Sequence, residues 1–269
     1  MADPNTTESE TTGGSGNPDH FLVGRLPRGD RLETDGGPKY KETPPVAVLL
    51  GPDPPAIAEP YNAVTASFFI VIAAVWGWRA VRAGAAKHPF VLACMPILLV
   101  GGIGGTLYHA FRSRFIYFLL DVIPISLLGL AGSIYLLVRI GRRAGWRRVA
   151  GYGFGAMAVY LFLNGIVFRL LPERFLKEAP HLRVNLSYAS LALLVLIPLG
   201  FVLVRTRFRH GGLVLAALFS FGIAWFCRLV DGTGIVDLPM GTHWLWHTFG
   251  AITTALVIEY FFRLERESV

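Results

Sequence analysis

Thr242-His243-Trp244-Leu245-Trp246-His247-Thr248 places two histidines four residues apart at the start of the chain's last apolar segment. On a helix that spacing sets both imidazoles on one face, one turn apart, where they can reach a common point. A third histidine, His109, ends an earlier apolar segment, and a carboxylate, Asp121, lies near the start of the next. Three neutral imidazoles plus one open position form the usual catalytic set for zinc, which brings the proton loss of a bound water close to neutral pH. The usual metalloprotease helix carries Glu directly after its first His. Trp244 holds that place here, so a general base must come from elsewhere, and Asp121 is the candidate.

Hydrophobic residues make up 53% of the 269-residue chain and charged ones only 16%, with the charge gathered between long apolar runs. Each run reaches the roughly 20 residues that a helix needs to cross the hydrocarbon core, about twice the length of a barrel strand. The sequence therefore predicts an all-α protein, a seven-transmembrane helix bundle with spans near 61–81, 90–111, 115–138, 149–171, 184–204, 213–230 and 243–262. The net charge of +7 comes from arginines clustered at helix ends. Anionic lipid head groups account for them, and nucleic-acid binding is rejected. The expected surroundings are the lipid bilayer and a membrane lipid substrate, with no obligate protein partner evident.

Alternate loops divide the basic residues. One side carries Arg79, Arg82, Lys87, Arg139, Arg142, Arg143, Arg147, Arg148, Arg205, Arg207, Arg209, Arg263 and Arg266; the other carries Arg112, Arg114, Arg169, Arg174, Lys177 and Arg183, with Arg228 near its last loop. The positive-inside rule makes the richer side cytoplasmic, which puts the N-terminus outside and the C-terminus inside. Span parity alone then places His109, Asp121, His243 and His247 in one leaflet. Ionisable groups at such depth are costly unless they pair, bind an ion or line a wet cavity, so Asp121 needs a role or an arginine partner. Arg228 and Asp231, three residues apart, are expected to form a structural clasp. The glycines at 101, 102, 104 and 105 are expected to let helices approach closely just before His109, and Ser133 and Asn164 to bond between helices. Residues 1–55 are rich in Gly, Pro, Ser, Thr, Asp and Glu without an apolar period, and read as a disordered N-terminal tail preceding a membrane domain over 56–269.

Several pieces together resemble the alkaline ceramidases, within the CREST superfamily of seven-span membrane metal-dependent hydrolases. They are Ile57-Ala58-Glu59-Pro60-Tyr61-Asn62-Ala63-Val64-Thr65, Gly105-Thr106-Leu107-Tyr108-His109, Leu119-Leu120-Asp121, and Asp231 through Pro239 to His243-Trp244-Leu245-Trp246-His247, in the family's order from about 57 to 263. The resemblance implies a zinc-dependent amidohydrolase that cleaves ceramide to a fatty acid and a sphingoid base. His109, His243 and His247 would bind the metal, and Asp121 would act on its water. Gly105 stands where that family usually has serine, which leaves Thr106 beside it as the candidate to polarise the carbonyl. The family's N-terminal calcium loop is not recognisable as a whole, but Glu59 matches its last acidic member, so Glu59 is a candidate calcium ligand. Three alternatives share these residues: a lipid-ester hydrolase, a receptor-like member akin to the progestin and adipoQ receptors with the N-terminus inside, and a proton-coupled transporter.

Overall fold

The computed structural model describes residues 32, 34–141, 145–167, 170–172 and 182–267. Residues 1–31 and 33 of the tail, Arg142 and Arg143, and positions 168–169 and 173–181 lie outside the described residues. The architecture is all-helical, with no β-strand among the described residues. Apolar runs of this length leave no water for the backbone, so helices that satisfy their own N–H and C=O groups are the available solution.

A single helical turn, α1 (Val46–Leu49), precedes α2 (Pro60–Ala66) and α3 (Phe68–Gly84). Then follow α4 (Pro89–Phe111), α5 (Phe115–Gly141), α6 (Trp146–Gly165), α7 (Leu182–Arg205), α8 (Gly211–Val230) and α9 (His243–Arg266). Each of the seven expected segments thus overlaps a helix, the fourth only as far as Gly165 and the first with a break at Ser67, whose hydroxyl donates to Val64 O at 2.6 Å. Five are long and apolar enough to cross a membrane, at Pro60–Lys87, Pro89–Phe111, Phe115–Gly141, Leu182–Arg205 and Gly211–Val230, which makes this a multi-pass membrane protein. α9 falls short of that apolarity because it carries His243, His247, Glu259, Arg263, Glu265 and Arg266.

Two helices position the site. α9 packs mainly on α8 and also touches α2, α3 and α4, while α4 packs against α5, α3 and α2. The close approach around α4 depends on absent side chains. A Cβ on Gly102 would lie 2.8 Å from Ile70 N of α3, and one on Gly104 would lie 2.5 Å from the Leu120 backbone of α5. Farther along, Ser133 Oγ donates to Leu194 O of α7 at 2.8 Å, and Asn164 Nδ2 donates to Ser190 Oγ at 3.2 Å, as expected of helix-to-helix bonds. At the opposite end of α9, Glu265 accepts from the backbone N–H groups of Phe90 and Val91, which are free donors at the first turn of α4.

Of the stretch expected as tail, residues 32 and 34–55 are described, and residues 34–59 run as a strap across the helix ends that carry the histidines. Thr34 Oγ1 donates to Arg112 O, Lys41 N donates to Asp231 Oδ2 at 3.1 Å, and Tyr61 N and Asn62 N donate to Glu42. The strap's composition is that of a solvated segment, but its polar groups are those that buried helix ends lack.

Candidate metal centre

His109 comes from the last turn of α4, and His243 and His247 from the first turns of α9; all three are buried. One ring nitrogen from each lies within 4.8 Å of the others. His109 Nε2 and His247 Nε2 are 3.0 Å apart, close to the about 3.4 Å between two nitrogens held tetrahedrally at 2.0–2.1 Å from one ion. His243 Nδ1 is buried without a hydrogen-bond partner. A buried imidazole nitrogen in that state is costly unless something else engages it. The donor set therefore fits a metal ion.

Glu59, directly before α2, orients His109. Its Oε2 lies 2.5 Å from His109 Nδ1, and because an ionised carboxylate only accepts, Nδ1 carries the proton and Nε2 is left as the lone-pair nitrogen facing His247. Asn62 Nδ2 donates to the same oxygen at 3.1 Å, while Thr43 Oγ1 and Arg112 Nη1 donate to Oε1. Burial alone would raise the Glu59 carboxyl, but the hydrogen bond from His109, then the charge of Arg112 and the bond from Thr43, outweigh it and hold the group down to about 2. Four groups thus engage the two oxygens of Glu59, so among the described residues this carboxylate, the candidate calcium ligand, serves to orient His109 and to pair with Arg112.

Arg112, 1% exposed, terminates α4 in the left-handed region at φ 48° and ties the strap down. Its Nε donates to Asp35 Oδ2 at 2.7 Å, and its Nη2 to Asp35 Oδ1 at 3.3 Å and to Pro38 O at 2.9 Å. The strap so fixed lays Tyr40 flat on His243, with ring centroids 3.7 Å apart at 17°. Desolvation, only partly offset by Arg228 and Arg112, holds the Tyr40 phenol well above its ordinary value, so it remains a neutral hydrogen-bond donor.

A cavity of about 350 Å³, within the usual range of small-molecule sites, opens from this cluster. Tyr40, Asp121, Arg228, His243 and His247 line its polar end, and Leu98, Leu128, Leu191 and Val257 are among the apolar side chains beyond. Its lining follows α9 from His243 to Phe261. From His243 to Phe261 the helix rises about 27 Å, most of the roughly 30 Å hydrocarbon core.

Asp121 faces this cavity, and among the described residues its carboxylate receives no hydrogen bond and joins no ion pair. A Cβ on Gly105 would come within 2.6 Å of Asp121 Oδ1, so the missing side chain makes room for the carboxylate. Thr106 is not brought to the cavity: its hydroxyl donates to Gly102 O one turn back, at 2.7 Å. The expected clasp between Arg228 and Asp231 does not form. Asp231 Oδ1 instead accepts from Thr242 N at 2.7 Å and His243 N at 3.2 Å, at the start of α9. Arg112, Tyr40 and the orienting role of Glu59 escaped sequence reasoning. Glu59 beside Pro60 offered the one available signal, a carboxylate at a helix start. No family model matches this chain, and no curated protein does.

Proposed function

We propose that the protein is a zinc-dependent intramembrane hydrolase that cleaves the amide bond of ceramide-like lipids to a fatty acid and a sphingoid-type amine. The observation that carries this reading is the meeting of three buried imidazoles and an unpartnered carboxylate at the end of a long apolar cavity. Zinc held by His109, His243 and His247 would supply Lewis acidity and activate water for attack. The lipid's acyl chain lies along the apolar lining of α9, which leaves its amide at the polar end. Asp121 takes a proton from the attacking water, and as the carbon–oxygen bond forms and the carbon–nitrogen bond breaks, it returns the proton to the departing amine. Glu59 fixes the tautomer of His109, an outer partner of the kind that metal-binding histidines ordinarily have. Tyr40 holds the plane of the His243 ring, and its phenol can donate toward the cavity, a place that Thr106 does not reach.

In this reading α6 and α9 complete seven spans, the strap and the site face outward and the C-terminus is cytoplasmic, following the loop charges. The amide would react beside the histidines, which sit at helix ends rather than mid-helix. That is the depth of a lipid amide whose tails remain in hydrocarbon.

Metal analysis of the purified protein is expected to give about one zinc per chain, reduced in His243→Ala and His247→Ala. Mass spectrometry after incubation with lipid amides and esters is expected to show fatty acid released from ceramide by the wild type and not by His109→Ala. Zinc retained in full by both histidine variants would overturn the metal centre. Release from esters alone would overturn the amidase assignment and leave a lipid-ester hydrolase. Tags on the two ends, tested for protease access in intact cells, check the orientation; an inside N-terminus would favour the receptor-like alternative.

A further inference from the structure

Arg228 is 8% exposed, yet no carboxylate among the described residues pairs with it. Its Nε donates to Asn185 Oδ1 at 3.1 Å, and its guanidinium carbon stands 5.0 Å from the ring centroid of Tyr188 and 5.2 Å from that of Trp246. These contacts fix the plane of the fork. They leave both terminal nitrogens, four of its five N–H groups, without an acceptor among the described residues. Arg228 lines the same cavity as Asp121, His243 and His247.

A buried guanidinium without an anion is costly, and its geometry matches a two-oxygen anion such as a carboxylate or phosphate. Aromatic faces hold a cation in place but satisfy none of its N–H groups. Asp121 does not fill the gap, since no ion pair joins the two. Nor does Asp231, whose oxygens are taken by backbone donors at the start of α9 and in the strap. The apolar lining runs away from this end, so a lipid tail lying along it brings its head, not its terminal methyl, to Arg228.

We infer that Arg228 is the anion subsite of this cavity: the bound lipid amide carries an oxyanion, carboxylate or phosphate, on the amine side of its amide bond. Resting on the hydrolase reading, this narrows the substrate class from neutral ceramide-like amides to anionic ones. The acyl chain lies along α9, the amide lies between Asp121 and the histidines, and the anion receives Nη1 and Nη2.

Two matched pairs test it on the full-length purified protein: N-palmitoylglycine against N-palmitoylethanolamine, and ceramide 1-phosphate against ceramide. The anionic member of at least one pair is expected to be favoured in kcat/KM by about ten- to hundredfold, the span of hydrogen bonds to a charged group. Which pair shows the larger ratio tells carboxylate from phosphate. In Arg228→Met the ratio should collapse towards one, mainly through KM, and Arg228→Lys should retain part of it. Equal handling of both members in both pairs by the wild type overturns the inference, as does an unchanged ratio in Arg228→Met. If Arg228→Met does not fold, the wild-type ratios and Arg228→Lys still decide, because a purely structural arginine imposes no preference for anions. If the wild type cleaves none of the four lipids, equilibrium binding of the same four needs no turnover. Preferential binding of the anionic members would then uphold the subsite while removing the hydrolase, and equal binding would overturn both.

Discussion

On the strap side of the histidines, Arg112 is bonded to Asp35, Glu59, Thr43 and Pro38, and both oxygens of Glu59 are filled. On the cavity side, among the described residues, Arg228 uses one nitrogen and Asp121 neither oxygen. Both sides set a buried arginine and a carboxylate beside the histidine cluster, the carboxylate being buried in Glu59 and half-buried in Asp121. A saturated network rigidifies and orients, since every group in it loses a bond if the geometry shifts. Groups left open beside a cavity keep their bonding capacity for a ligand or for a proton in transit. The strap side is thus the support of the site and the cavity side its working face. Mutations on the two sides should therefore fail in different ways.

The largest effect is expected at the working face. Asp121→Asn keeps size and hydrogen bonding but cannot accept a proton, so turnover should fall by about 10²–10⁴ while zinc content and thermal stability stay at wild-type values. Activity assay, metal analysis and thermal unfolding on one preparation check this. Near-normal activity would place Asp121 in the support.

Next comes the support itself. Glu59→Gln removes the charge that Arg112 and His109 both use, and should weaken zinc binding by about 10–100-fold and lower the unfolding temperature. This variant should also lose an acid limb. The folded Glu59 carboxyl sits at about 2, below its ordinary value of 4.5. A group depressed in this way contributes stability that is fully present above about 4.5 and is lost as the pH falls from there towards 2. Unfolding temperatures across that window should fall more steeply for the wild type than for Glu59→Gln; parallel curves would mean that the carboxylate is not held as the structure places it.

This division was only half legible in the sequence. The pairing of His243 with His247 follows from helical spacing, and His109 and Asp121 join them through span parity, which needs only the order of apolar runs. The glycine cluster before His109 was legible for the same reason: small residues in an apolar run announce a close approach. The contacts of Glu59 were not, because its partners lie 16 residues back in the strap and 50 and 53 residues ahead at the end of α4. A segment rich in Gly, Pro and charge reads as tail until a buried arginine is known to need Asp35. Arg228 and Asp231 were paired by their spacing of three, but the free N–H groups that open α9 compete for Asp231, and that competition exists only once α8 and α9 pack together.

The smallest predicted effect sits between the two sides, at Gly105. An added methyl would stand 2.6 Å from Asp121 Oδ1 and 3.5 Å from Ala66 Cβ, so the second contact is tolerated and the first is not. The carboxylate is the part able to move, because no donor among the described residues anchors it. Gly105→Ala should therefore displace Asp121 without disturbing Glu59, Arg112 or the histidines. A shift of about 1 Å can cost up to 10²-fold in a proton-transfer geometry, and a side chain free to swing back should lose less, on the order of tenfold. Zinc content and the acid limb should match the wild type. If Gly105→Ala instead lowers zinc content along with turnover, Asp121 belongs to the same rigid unit as the histidines. If it changes neither, the carboxylate has room that the packing of α4 against α5 does not show, and its unpartnered state reflects slack rather than readiness to take a proton.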